Sequence, residues 1–187
     1  LEWAVLRGKL IAAYAPPAHI PETRRPKQIG YAISDDQILA LINSIPKGRH
    51  PAEAEAYNSW RFAIQLCAVY GLRPEELRHL YVEEGPEGKE LWTSYQKSKG
   101  GKKGHKTEPR KLHALFVRDA DGAIDWNLMS RVETGENLPP LGQEGKGGEA
   151  LGTFLKRREY WKSLKEMIKK KKIKQVLKPY TFRHRYA

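Results

Sequence analysis

The chain has 187 residues, 34 Lys and Arg against 22 Asp and Glu, a formal net charge of +12 and a single cysteine. That length suits one hydrophobic core of ordinary size plus a fragment of another, and the positive excess makes a polyanion, nucleic acid foremost, the expected partner. One cysteine excludes an internal disulfide and suggests a reducing, intracellular compartment, while the lack of any apolar run long enough for a bilayer and of any signal-like opening argues against a membrane protein.

Trp3, Leu6, Leu10 and Tyr14 recur at helical spacing, so residues 1–15 read as the remnant of a helix from a preceding domain. Pro16 and Pro17 break it. Residues 16–33, with Arg24, Arg25 and Lys27, read as an extended basic linker, and residues 34–187 as the main domain. Ser34-Asp35-Asp36-Gln37 has the form of a capping box and predicts a helix start, with Ile38, Leu39, Leu41 and Ile42 as its apolar stripe and Pro46-Lys47-Gly48 as its end. Pro51 opens the next helix, which runs toward Tyr70 with Tyr57, Trp60, Ile64 and Cys67 on one face and reads as the central buried helix.

The stretch that follows is chemically the most specific. Gly71 stands where the apolar run ends, the place at which a helix most often turns left-handed. Pro74 suits the first turn of a new helix and pushes Arg73 toward an extended conformation, so this guanidinium is aimed by backbone. Glu76, one turn on, is placed to hold the arginine from behind, and Leu77 and Leu80 pin the new helix to the core.

Beyond Leu80, Gly85-Pro86-Glu87-Gly88 predicts a turn and Leu91-Trp92-Thr93-Ser94-Tyr95-Gln96 a strand. A lysine- and glycine-rich loop at 98–106 leads to a return strand at 109–116, with Leu112 and Ala114 on one side and Lys111, His113 and Leu115 on the other. Asp119-Ala120-Asp121-Gly122 is a turn, after which Asp125 is expected to cap a short helix carrying Trp126, Met129 and Val132. Residues 134–148 are glycine-rich without a phosphate-loop pattern and read as a loop. From Glu149 one long helix is expected through Leu151, Phe154, Leu155, Trp161, Leu164 and Ile168, closing in a basic run from Lys169 to Lys174 that is either a solvated helix end or a phosphate contact. The class is α+β, mainly helical, with a small antiparallel sheet at one edge.

The last ten residues, Lys-Pro-Tyr-Thr-Phe-Arg-His-Arg-Tyr-Ala at 178–187, place Pro179 and Thr181 at a helix start and Arg183 in its first turn, where unpaired amides favour an anion. The start at Leu1 and the stop at Ala187, just inside this helix, are expected of a piece of a longer chain.

Ala-Val-Tyr-Gly-Leu-Arg-Pro-Glu-Glu-Leu-Arg-His-Leu at 68–80 resembles the first conserved box of the tyrosine recombinases, or phage integrases, and 178–187 resembles their second box, with Phe182 in place of leucine and Tyr180 where the family most often has histidine. The resemblance implies a tyrosine-recombinase catalytic domain acting in DNA integration and site-specific recombination through a 3′-phosphotyrosyl intermediate. It implies that Arg73 and Arg183 clamp the phosphate, that Glu76 and His184 buttress them, and that Lys97 on the hairpin, or Lys99 as the near alternative, is the general acid. Tyr180 takes the histidine's place, where it can hydrogen-bond or act as a weak acid near its usual pKa of about 10. Arg24, Arg25 and Lys27 on the linker and Lys99, Lys102, Lys103 and Lys106 on the hairpin are the implied DNA contacts.

Two arginines suit such chemistry because their planar forks meet the two non-bridging oxygens of a phosphodiester with paired donors. A lysine near the departing 5′ oxygen can return its proton. The family implies no cofactor, since the covalent intermediate retains the energy of the broken bond, and it implies assembly as homo-oligomers on duplex DNA. His19, His50, His79, His105, His113 and His184 show no zinc spacing. The family's nucleophilic tyrosine stands well beyond the second box, and Tyr186, three residues after Arg183, has the wrong spacing for it, so the 187 residues are expected to bind DNA without forming the covalent link. Two alternatives are a non-catalytic DNA-binding protein with a recombinase-like fold, which the Tyr180 departure keeps open, and an RNA-binding module, supported only by charge and aromatics, with no sheet-borne ribonucleoprotein pattern in the sequence.

Overall fold

A computed structural model describes residues 29–95 and 108–186, with side chains for 30–95 and 108–184. The fold is α+β, predominantly helical with a small three-stranded antiparallel sheet. In chain order it runs β1 (Ile29–Gly30), α1 (Asp35–Asn43), α2 (Pro51–Tyr70), a 3-10 turn (Pro74–His79), β2 (Leu80–Gly85), β3 (Gly88–Thr93) and β4 (Arg110–Lys111). The remainder is β5 (Arg118–Asp119), β6 (Gly122–Ala123), α3 (Leu128–Glu133), α4 (Gly147–Lys156), α5 (Glu159–Lys170), β7 (Gln175–Val176) and a second 3-10 turn (Thr181–Tyr186).

The helix starts follow from local chemistry. The Ser34 hydroxyl accepts from the Gln37 amide at 3.3 Å and the Gln37 side chain accepts from the Ser34 amide at 3.1 Å, so the capping box closes in both directions and α1 begins at Asp35. Pro51 occupies the first turn of α2, where its missing N–H costs nothing. α2 is the central helix. Phe62, Ile64, Leu66, Cys67 and Ala68 are all buried, which takes both sides of its second half out of water. Around it pack Ile38 and Leu41 of α1, Leu151 and Leu155 of α4, Trp161 and Leu164 of α5, and Phe182 of the last turn. Trp60 and Phe154 stack at 4.5 Å between centroids and tie α4 to α2.

Several elements differ from expectation. The helix after Arg73 is a 3-10 turn that ends at His79, and Leu80 already belongs to a strand, because the β-forming Leu80-Tyr81-Val82 pairs with β3 in register Leu80↔Thr93 to Gly85↔Gly88. The turn at 85–88 therefore joins two strands, with Gly88 at φ 114, a conformation open to glycine. The return strand expected over 109–116 pairs only at Arg110–Lys111. Beyond Leu112 the chain turns away, the Leu115 amide donating to the Val69 carbonyl at the end of α2 at 2.7 Å and Val117 entering the core.

Asp125 does not cap α3 directly. Its carboxylate accepts from the Asn127 amide at 2.8 Å, and Asn127, left-handed at φ 53, is the residue that precedes the helix. The long helix expected from Glu149 is two, α4 and α5, broken where Arg158 becomes extended and lays its guanidinium over the rings of Phe154 and Tyr57. Phe154 and Trp161 are two helical turns apart, so the apolar spacing continues across the break and does not reveal it.

The end of the expected linker is structured: β1 pairs in parallel with β7, and the Tyr31 amide donates to the Val176 carbonyl at 3.1 Å. This pairing brings Gly30 against the His184 imidazole, so close that a Cβ there would lie 1.9 Å from Nε2. Among the described residues no helix is long and apolar enough to cross a membrane.

Candidate functional site

The site starts at the joint between α2 and the 3-10 turn. Gly71 ends α2 in the left-handed region, φ 60 and ψ 32, and Arg73 is extended at φ −73 and ψ 145 ahead of Pro74. Leu72 and Leu77 on either side are buried, which fixes the joint to the core. Glu76, 2% exposed, accepts from the Arg73 amide through Oε2 at 2.9 Å and from Arg73 Nη1 through Oε1 at 3.1 Å. Both halves of the arginine, backbone and fork, are thus set by one carboxylate.

From the far end of the chain the second 3-10 turn delivers Arg183. The Thr181 hydroxyl accepts from the Lys178 amide at 3.0 Å, and the Arg183 amide donates to the Tyr180 carbonyl at 3.0 Å. Arg183 Nη1 then reaches the Gly71 carbonyl at 3.3 Å and lies 3.7 Å from Glu76 Oε2. The two arginines singled out by the sequence therefore meet at one buried carboxylate.

A third arginine joins them. Arg110, at the start of β4, places Nη2 3.2 Å from Glu76 Oε2. It was not singled out in the sequence, although alternation along the return strand puts it on the same side as Leu112, which is buried. Three guanidiniums face one carboxylate, a local excess of two positive charges. The consequence is visible at Arg183, whose pKa is pushed down by burial and further by Arg73 and Arg110, with Glu76 opposing. A guanidinium stays protonated in proteins, so Arg183 remains a cation here, held beside two others at one carboxylate.

Aromatic hydroxyls border the cluster. Tyr180, 41% exposed, sits over the start of α4, where a Cβ on Gly148 would come within 2.9 Å of its oxygen. Tyr95, expected within the strand but lying just past its end at Thr93 and with no role foreseen in the sequence, packs its ring 5.3 Å from that of His79. Its pKa is raised, first by burial and then by the charge of Glu75, with Arg73 opposing, which places it in the field of the same groups. Behind the joint, Glu75 accepts from the Gly145 and Gly147 amides at 2.9 Å each and so fastens the start of α4 to the Arg73 segment.

Arg73, Glu76 and Arg183 are thus brought together, with Tyr180 at the rim and His184 packed against Gly30. Lys97, Lys99, Lys102, Lys103 and Lys106, and Arg24, Arg25 and Lys27, lie outside the described residues. Among the described residues no group of three or more His, Cys, Asp or Glu is arranged to hold a metal ion. An apolar hollow lined by Tyr70, Phe116, Trp126 and Met129 contains none of the clustered arginines. The chain matches no family model, no curated protein and no solved structure.

Proposed function

We propose that the arginine cluster grips a phosphodiester of duplex DNA and that the chain serves site-specific recombination or integration of the tyrosine type. The supporting observation is the meeting of Arg73 and Arg183, far apart in sequence, on the single buried carboxylate of Glu76. A guanidinium held by backbone and carboxylate is preorganised, and preorganised donors aimed at developing charge are the largest common source of rate enhancement.

In this scheme a tyrosine oxygen attacks phosphorus, the P–O5′ bond breaks, and the 3′-phosphotyrosyl diester holds the bond energy until a 5′ hydroxyl returns. Arg73 and Arg183 hold the two non-bridging oxygens as negative charge builds on them. Lys97, or Lys99, returns the proton to the departing 5′ oxygen by the family resemblance. Tyr180 donates its O–H to the phosphate from the rim. By the family resemblance the nucleophile is a tyrosine well after Arg183, to be sought in the gene's full product.

The test is a suicide duplex, nicked so that cleavage traps the covalent adduct, given to that full product. Wild type is expected to form adduct, and Arg73→Ala and Arg183→Ala to lose it by roughly a hundredfold or more, the usual loss on removing one such donor. Adduct formation by either variant at the wild-type rate would remove that arginine from the mechanism. A second reading, a non-catalytic DNA-binding protein, is favoured by Tyr180 in the histidine position. It predicts duplex binding that Arg73→Ala weakens and no adduct from the full product at all.

A further inference from the structure

We infer that Arg110 is a third phosphate-gripping residue, so that the hairpin strand β4 supplies a guanidinium to the same oxyanion as the two sequence boxes. The assignment rests on the phosphodiester reading above. Arg110 uses one N–H of its five for Glu76, at 3.2 Å, and its side chain remains 47% exposed. Among the described residues Glu76 is its one hydrogen-bond acceptor, so the rest of the fork is open toward solvent. A plain structural brace needs one cation for one carboxylate. Here Arg73 already satisfies Glu76 through both oxygens, and Arg110 and Arg183 are added at Oε2.

Placing surplus like charges around one buried carboxylate is unfavourable for the empty fold, and a bound dianion or diester relieves it. The Arg183 pKa moves in the direction this crowding requires, lowered first by burial and then by Arg73 and Arg110, with Glu76 opposing. Register fixes the aim: Arg110 pairs with Thr93, itself buried, and Leu112 beyond it enters the core, so the strand cannot turn this residue outward without exposing both.

The experiment measures binding of a short labelled duplex across a salt series, and melting with and without inorganic phosphate, for wild type, Arg73→Ala, Arg183→Ala, Arg110→Gln and Arg110→Lys. Arg110→Gln is expected to weaken duplex binding about tenfold and to flatten the slope of log K against log salt by about 0.9, the loss of one phosphate contact. Its gain in melting temperature from phosphate shrinks as well. Arg110→Lys restores the slope but not the affinity, because it returns the charge without the fork. If Arg110→Gln matches wild type while Arg73→Ala and Arg183→Ala lose binding, the inference fails and the phosphodiester reading stands. If none of the variants changes either measurement, both fail. Loss of a cooperative melt in Arg110→Gln would make the residue a structural brace and would also overturn the assignment.

Discussion

Replacing Glu76 by glutamine tests the organisation of the site while barely changing its shape. Three donors lie within hydrogen-bond distance of the carboxylate, the Arg73 amide at 2.9 Å, Arg73 Nη1 at 3.1 Å and Arg110 Nη2 at 3.2 Å, with Arg183 Nη1 at 3.7 Å as an ion pair. The bond from the part-buried Arg73 amide to a charged acceptor is worth about 2 kcal/mol. The guanidiniums are 29%, 47% and 39% exposed, so they regain water when released and each contributes only about 0.5 kcal/mol, near the middle of the range for exposed pairs. Together the loss is roughly 3.5 kcal/mol, which for a chain of this size lowers the melting temperature by about 7–14 °C. The measurement is thermal unfolding by circular dichroism at about 0.1 M and about 1 M salt, where the screening lengths are about 10 Å and 3 Å. Repulsion among the three uncompensated cations is then screened, so the deficit of Glu76→Gln is expected to narrow at high salt. A variant that melts within about 2 °C of wild type at low salt would show that the arginines are not organised by this carboxylate.

Two further substitutions probe the neighbours of the cluster. Glu75→Gln puts an amide donor where Glu75 now receives two backbone N–H groups, and it is expected to cost about 1.5–3 kcal/mol and to speed hydrogen exchange at Gly145 and Gly147; unchanged exchange there would refute the fastening role. Cys67 is fully buried, and burial pushes its thiol pKa up, with Glu76 adding to the shift, so the folded protein is expected to resist a thiol reagent that reacts at once with the unfolded chain. The sign for stability follows from the raised value: the contribution is intact below the unfolded thiol pKa of about 8.5 and is lost as pH rises above it, at about 1.4 kcal/mol per pH unit. Urea midpoints measured between about pH 8.5 and pH 9.5 are therefore expected to fall in wild type more steeply than in Cys67→Ala, and equal slopes would refute the burial argument.

What the sequence made readable was local. The Ser34–Gln37 cap, the proline at the head of α2, the left-handed Gly71 and the Arg73–Glu76 pair all follow from rules that act within four residues. What it concealed depended on distant partners. A two-residue strand such as β1 has no periodicity, and its partner β7 follows only after the helices α1 to α5 that lie between them in the chain. The break at Arg158 was hidden because apolar spacing runs on through it, and the cation–aromatic contacts that favour the break involve Tyr57, a hundred residues earlier. Arg110 sat between these cases: alternation with Leu112 marked its face, but only the fold shows that this face meets Glu76.

The cluster is held in place by the core as well as by the Glu76 carboxylate. Three cations around one anion repel one another, and a flexible loop would relax by turning an arginine outward. Here Arg73 is bracketed by Leu72 and Leu77, Arg110 is followed by Leu112, and Arg183 is preceded by Phe182, every one of them buried. Each bracket residue contributes about 1.5–3 kcal/mol by leaving water, which is enough to hold a backbone against repulsion between partly exposed charges. Moving any of the three guanidiniums away requires withdrawing a large apolar neighbour from the core. That arrangement fixes the positive charges in one geometry, where α2, β4 and the final turn bring their buried anchors to the Glu76 carboxylate.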